Sequence, residues 1–381
     1  MNWRVQQFDG YDSLPERYNR MLEHSAHLGL FCQRGWFEYM MGTLYSDKHQ
    51  MRVYGVEGVD GEPRLMMPLR YTRSDPSVRE AHEIASISHL ENFAPAFMLF
   101  SPEGLGKRHE LMVALFRWLG SSPDSQPAPA DVLRLWPFGS GSVMEQEVTA
   151  ALIEADYRVQ SYKNSANRYE DVRGMSYEEY FANRSANHRY NCRRRQRNLE
   201  KAGDLQFEIY TGETDSETLE RKIDDYILVA AHSWKPAPSN LSLPIINMMR
   251  VAHDAGDLRL SIMRLDGVAI AAQFWILAAG VANNIRPNYR DSHREYGPGV
   301  VLTNLSIKYL MEVDGIDMID YGFGNDDYKE KWVSKDRAFV GLMAFNRRTW
   351  LGRYHGFRHI NGQTLKRVMD QLRRVRRKML P

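Results

Sequence analysis

Hydrophobic and polar positions along this chain form one arrangement that occurs twice. RVYGVEGVDGEPRLMMPL sets an apolar-rich run on each side of Asp60-Gly61, and LRLSIMRLDGVAIAAQFWIL does the same around Asp266-Gly267. Both residues of an Asp-Gly pair tolerate the positive φ of a tight type I′ turn, so each stretch predicts a β-hairpin. After the first come Gly104 and Gly106, a helical pattern to Leu119, a strand VLRLWPF, and then Gly139 and Gly141. After the second come Gly297 and Gly299, a helical pattern to Met311, a strand IDMIDYGF, and then Gly322 and Gly324. The two turns lie 206 positions apart (266 − 60), too far for a solenoid repeat and suited to a duplicated domain. The Ser/Pro-rich stretch from Gly120 to Asp131 reads as a surface loop inserted in the first copy, and a short helix from Val143 to Ala155 leads to a boundary near residues 155 to 170.

Composition adds an ordinary globular setting. The 381 residues suit about two domains at ~150 residues each. With 43% apolar and 26% charged residues the chain is neither disordered nor fibrous. Lys and Arg total 50 against 48 Asp and Glu, so attraction to an anionic partner has to come from local clusters. Cys32 and Cys192 form no CxxC pair, which points to cytosolic thiols and to no metal site. MNWRVQQFDG lacks the basic start and apolar segment of a secretory signal. The most apolar run, Val268 to Val281, is shorter than the ~20 residues of a membrane helix and contains Gln273, so it reads as a buried strand.

The stretch REYGPGVVL, Arg294 to Leu302, puts a Gly-Pro-Gly turn ahead of a helix whose apolar face is Leu302, Leu305 and Tyr309. Glycines let the backbone approach a phosphate, and a helix N-terminus supplies unpaired N–H groups. Gly297, Gly299, Val300 and Val301 are the candidate donors, while Pro298 fixes φ and holds the turn open. The same pattern also occurs in simple turns.

Four stretches together resemble the CelD/BcsL-type branch of the GNAT acyltransferase superfamily: NRSANHRYNCRRRQRNLEKAG, LDGVAIAAQFWI, NYRDSHREYGPGVVL and IDYGFGNDDYKEKW. That branch carries a BioF-like acetyltransferase domain and is related in architecture to FemAB-like aminoacyl transferases. The resemblance implies an α/β chain of tandem GNAT-like domains, each a mixed, mainly antiparallel sheet flanked by helices. It places a degenerate domain over residues 1–160, the acyltransferase domain over 161–352 and a basic helical tail over 353–381. It also implies acyl-CoA, acetyl-CoA in the simplest case, as co-substrate with no permanently bound cofactor. Arg294, Gly297 and Gly299 then hold its pyrophosphate.

Acyl transfer to an amine needs a proton acceptor, donors for the oxyanion and an acid for the leaving thiolate. No G-x-S-x-G elbow is present, and neither cysteine forms a Cys/His arrangement in sequence. Asp291 and His293 are candidate proton acceptors or surface loop residues, and Asp320 is either a turn cap or a buried base. Tyr328 is placed to protonate a thiolate and Lys329 to hold a phosphate or carboxylate, against core packing and a solvated face. Trp234 and Lys235 either line the acceptor pocket or end a helix by packing.

Arg184, Arg189, Arg193, Arg194, Arg195, Arg197 and Lys201 form a basic cluster with Glu200 as its single acid. Arg189, Arg193 and Arg197 share one helical face, which suits a phosphate-bearing acceptor, the CoA nucleotide or an RNA backbone, or else plain solvation. Beyond residue 364, Leu365, Val368, Met369, Leu372, Val375 and Met379 repeat at helical spacing among seven basic residues. Such a segment either packs on the domain or lies on an anionic membrane. The function expected is N-acyl transfer from acyl-CoA to an amino group of a sugar, peptide or cell-envelope precursor, in the cytoplasm or at the inner membrane face. The alternatives are a tRNA-dependent aminoacyl transferase and an inactive binding protein of the same fold.

Overall fold

The computed structural model describes residues 3–72, 80–88, 98–121, 128–233, 243–324 and 326–360. Trp234, Lys235 and the tail from residue 361 lie outside them. In the first half, β1 (Arg4–Phe8), α1 (Glu16–His24) and α2 (Arg34–Leu44) precede the hairpin β2 (His49–Glu57) and β3 (Pro63–Thr72). β4 (Glu83–Ser86), β5 (Leu99–Phe100), α3 (Pro102–Leu105), α4 (Arg108–Gly120), β6 (Val132–Gly139) and α5 (Val143–Glu154) follow. β7 (Tyr157–Asp171), α6 (Tyr177–Ala182) and α7 (Ala186–Ala202) lead into the second half. There the order returns: β8 (Leu205–Thr211), α8 (Ser216–Ala231), α9 (Leu243–Asp254), β9 (Leu258–Leu265), β10 (Val268–Ala278), β11 (Val281–Tyr289), α10 (Pro298–Glu312) and β12 (Met318–Phe323), closed by β13 (Lys335–Asn346). The apolar run at 268–281 is the buried strand β10 with its turn.

One sheet holds every strand among the described residues, in the order β1-β2-β3-β4-β6-β13-β7-β12-β11-β10-β9-β8, with β5 alongside β3. The order mirrors itself about the β13–β7 pair. β7 follows the first half yet pairs with β12, while β13 follows the second half and pairs with β6. Each half thus completes its sheet with a strand reached from the other. The stretch 155–170, read from sequence as a boundary, contains most of β7 and joins the halves through its pairing with β13.

The two Asp-Gly turns differ. Asp266 and Gly267 both take positive φ, 49° and 78°, as a type I′ turn requires. At the first hairpin only Gly61 does, with its N–H on Gly58 O (3.1 Å) and Gly58 N–H on Glu62 O (3.0 Å). That is a type I turn closed by a left-handed glycine bulge, made possible by the extra turn residue Val59.

Alternate residues of β10 separate the layers. Phe274 packs with Tyr18, Trp36, Tyr226 and Met249 under α1, α2, α8 and α9, while Trp275 packs with Tyr180, Ile307 and Trp332 under α6 and α10. α4 and α5 cover the first half on a core that includes Leu111, Phe116 and Leu152. Burying each such side chain stabilises the fold by ~1.5–3 kcal/mol. Among the described residues no helix is long and apolar enough to cross a membrane.

Candidate active site

All neighbouring strands are antiparallel except β4–β6 and β11–β12. β11 and β12 pair only from Val281↔Met318 to Asn283↔Asp320. Beyond that the two strands part. A bulge deepens the gap: Arg286 sits at φ 38° and its carbonyl accepts from Tyr226 Oη at 3.0 Å and Asn288 Nδ2 at 3.2 Å. A non-glycine residue at positive φ costs ~1–3 kcal/mol, strain of the kind held at functional sites.

A cavity of about 720 Å³ fills the gap, lined by Pro287 and Tyr289 of β11, Tyr321 of β12, the start of α10 and one face of α7. Gly297 is the N-cap of α10, left-handed at φ 62°, ψ 51°, and no side chain caps the helix. Pro298 occupies the first helical position, where its missing N–H leaves no helix bond unmade. Gly299 lies against Tyr289, where a Cβ would come within 3.1 Å of the ring. The anticipated donors are partly used within the turn. Gly297 N–H bonds Arg294 O at 3.0 Å and Val300 N–H bonds Gly297 O at 3.1 Å, while the Val301 side chain is buried in the core. The equivalent glycine of the first half has a packing use, since a Cβ on Gly104 would meet Arg64 O at 2.2 Å.

The structure gathers some of the sequence candidates and leaves others apart. Arg294, Gly297, Gly299, Val300 and Tyr328 line the cavity. Asp291 and His293 do not: Asp291 is exposed, and His293 is half-buried with Nδ1 2.9 Å from Ser292 Oγ. Asp320 is fully buried away from the cavity. It accepts from Asn167 Nδ2 (2.6 Å), Gly322 N–H (2.7 Å) and Arg337 Nη2 (2.6 Å), joining β12 to β7 and β13. Burial pushes its carboxyl up, and those donors oppose the shift. Lys329 is also buried, its ammonium donating to Phe323 O at 2.6 Å and facing Asp326 at 3.3 Å, so it braces the loop after β12.

The basic helix is α7, and its rotation decides which of its cations meet the cavity. Burial of His188, Cys192 and Leu199 fixes that rotation. His188, Asn191 and Arg195 consequently face the cavity. Arg193 lies over the Phe181 ring at 5.5 Å in a separate pocket with Arg189, and Arg197 is exposed. Arg184 is buried, paired with Glu170 at 2.9 Å and donating to Trp332 O at 2.8 Å. Sequence reading also found no Cys/His contact, yet Cys192 Sγ lies 3.6 Å from His188 Nε2. The i, i+4 spacing on a helix carries that signal. Burial pushes the Cys192 thiol up to about 11, so it stays protonated and is no nucleophile.

Three cations, Arg195, Arg294 and Lys331, line the cavity with one carboxylate among the described residues, Asp326. Arg195 sits directly on Gly297: a Cβ there would lie 1.4 Å from its Nη1. A guanidinium beside the positive end of a helix dipole favours an anion between them. The Tyr321 hydroxyl is buried in the wall without a hydrogen-bond partner, which costs about 1–3 kcal/mol while it stays unmet. Tyr328 leans edge-on to Tyr321 with ring centroids 6.2 Å apart, and burial pushes its phenol up to about 12. His188 stacks edge-on against Trp332 at 4.4 Å, and burial, with Lys331 and Arg184, lowers it to about 4.

Residues 186–330 match a family model described as an acetyltransferase (GNAT) domain. The whole chain is similar in structure to FemX, with a TM-score of 0.59 at 11% identity over 92% of this chain and 100% of that one. A conserved protein of unknown function from Bacteroides thetaiotaomicron VPI-5482 is similar with a TM-score of 0.51 at 9% identity, over 90% and 100%. A tandem GNAT protein from the clavulanic acid biosynthesis pathway has a TM-score of 0.45 at 9% identity, over 90% and 98%. No curated protein sequence matches the chain. The matched region runs from α7 to the loop after β12, within a mixed α/β fold whose two halves repeat one order of elements.

Proposed function

We propose that the protein is an N-acyltransferase of the CelD/BcsL type. It moves an acyl group, acetyl in the simplest case, from acyl-CoA to an amino group of a sugar, peptide or cell-envelope precursor in the cytoplasm. The observation that carries this reading is the uncapped glycine turn at α10, opening into a cavity with Arg195, Arg294 and Lys331. A helix N-terminus with added cations suits a pyrophosphate. Donor binding then belongs to the second half, 161–352. The first half, 1–160, helps to form the acceptor cleft.

In the reaction the amine nitrogen bonds to the thioester carbonyl carbon, the C–S bond breaks, nitrogen loses a proton and the thiolate gains one. Tyr328 stays protonated through neutral pH and supplies the thiolate. Asp326 holds the acceptor amine and passes its proton to water. His188, uncharged at neutral pH and weakly basic, positions rather than deprotonates.

One observation favours a second reading, transfer from aminoacyl-tRNA: Arg193, Arg194 and Arg197 are exposed on α7. Calorimetric titration with acetyl-CoA, together with turnover before and after ribonuclease, separates the two. Saturable acetyl-CoA binding and ribonuclease-resistant activity support acyl-CoA. Activity lost with ribonuclease supports tRNA, and binding without turnover on any amine would leave an inactive binding protein.

A further inference from the structure

Residues 350–360 form a helix packed in an unusual sense. The residues it buries are Gly352 and Gly356, one turn apart. A Cβ on Gly352 would meet Asn346 O at 2.3 Å and Asp131 O at 2.9 Å, and one on Gly356 would meet Phe345 Cβ at 3.0 Å. Such close approach turns the large side chains outward. Trp350, Tyr354 and Phe357, spaced i, i+4, i+7, are 64%, 45% and 65% exposed, and the first two stack with centroids 5.6 Å apart. A helix that only docked on the domain would bury its aromatics and expose its glycines.

Charge beside this face is predominantly positive. No Asp or Glu occurs between Asp336 and Asp370. A groove of about 480 Å³ runs along the helix, lined by Arg158, Arg347 and Arg353 together with Phe345 and Phe357, and no acidic side chain lines it among the described residues. Asp156, 3.8 Å from Arg347 and 3.4 Å from Arg348, is the nearby counter-charge.

We infer that this face is an interfacial surface for an anionic phospholipid bilayer. Headgroup phosphates occupy the arginine groove, and Trp350, Tyr354 and Phe357 enter the boundary between headgroups and acyl chains. Tryptophan and tyrosine favour that boundary because one end of each ring system is apolar and the other hydrogen-bonds water. RNA also takes stacked aromatics with arginine, but it gains little from an apolar ridge such as Trp350 and Phe357 present at opposite ends of the helix. The inference goes beyond the acyl-transfer reading and does not depend on it.

The test is co-sedimentation of the full chain with phosphatidylcholine vesicles, with and without phosphatidylglycerol. Binding is expected only with phosphatidylglycerol and should weaken as salt rises. W350S/F357S should weaken it roughly tenfold or more, and R347Q/R353Q roughly fivefold per arginine. Far-UV circular dichroism and thermal unfolding serve as the folding controls. A variant ending at residue 360 should keep binding, and W350S/F357S should weaken that binding to the same extent. The inference is overturned by vesicle binding unchanged in W350S/F357S, by binding lost wholly with residues 361–381, or by protection of this face from labelling by RNA and not by vesicles. A change in Trp350 fluorescence on removing 361–381, without vesicles, would show instead that the chain's own tail covers the face.

Discussion

Gly297→Ala is the most informative perturbation of the glycine turn, because two separate costs can be worked from the structure. Gly297 is left-handed at φ 62°, and holding alanine there costs ~1–2 kcal/mol. In a chain of this size that lowers Tm only slightly, on the order of 1–3 °C. The second cost falls on the ligand. The new Cβ would lie 1.4 Å from Arg195 Nη1, so the guanidinium has to leave the start of α10. A charge-assisted hydrogen bond to phosphate is worth ~1.5–3 kcal/mol, so acetyl-CoA should bind roughly 10- to 150-fold more weakly. Calorimetric Kd values for wild type, G297A, R195A and the double variant form a double-mutant cycle. If alanine acts by displacing Arg195, the double variant binds about as weakly as R195A alone. Additive losses would refute the displacement argument. Wild-type affinity in both single variants would remove the turn from the donor site.

Acid titration tests the burial of His188. Its folded pKa, about 4, lies below the ordinary value of 6.5, so the unfolded chain binds the proton first and stability falls as pH drops from 6.5 to 4. The loss reaches about 3 kcal/mol, and His188→Gln should flatten urea-denaturation stability across that window; an unchanged slope would mean that His188 charges freely in the fold. Asp320→Ala should destabilise the protein by about 3 kcal/mol by leaving Arg337 and Asn167 without their shared partner, the low end of the range because Arg337 is 31% exposed. At a temperature where that variant remains folded its kcat should stay near wild type, and a selective loss of kcat would return Asp320 to the chemistry. Tyr328→Phe should lower kcat roughly 100-fold with little change in KM, as expected of a proton donor to the leaving thiolate; equal kcat would leave that step to water.

Local chemistry makes part of this protein legible in its sequence. The two hairpins, the helix after each glycine pair and the duplicated order rest on neighbouring residues, because turn dihedrals and side-chain period are properties of short segments. Pro298 between two glycines marks the start of α10 on the same ground. Arg294 and Tyr328 reached the cavity because each sits within a few residues of a strand end or turn.

Other features depend on what meets across the fold. The rotation of α7 decided that Arg195 faces the cavity while Arg193 and Arg197 turn away, and that rotation follows from burying His188, Cys192 and Leu199 against elements distant in sequence. By sequence Asp320 reads as a turn cap or a buried base, and Lys329 as an anion holder or part of a solvated face. Asn167, Arg337 and the carbonyl of Phe323 engage them instead, the first two from strands outside their own segment. The exchange of β7 and β13 between halves left no local trace, since either strand has the same pattern whichever neighbour it pairs with. Tyr321 likewise looks like any core tyrosine in sequence; only the parting of β11 from β12, a matter of how two strands are aimed over nine residues or fewer, leaves its hydroxyl unpartnered in the cavity wall.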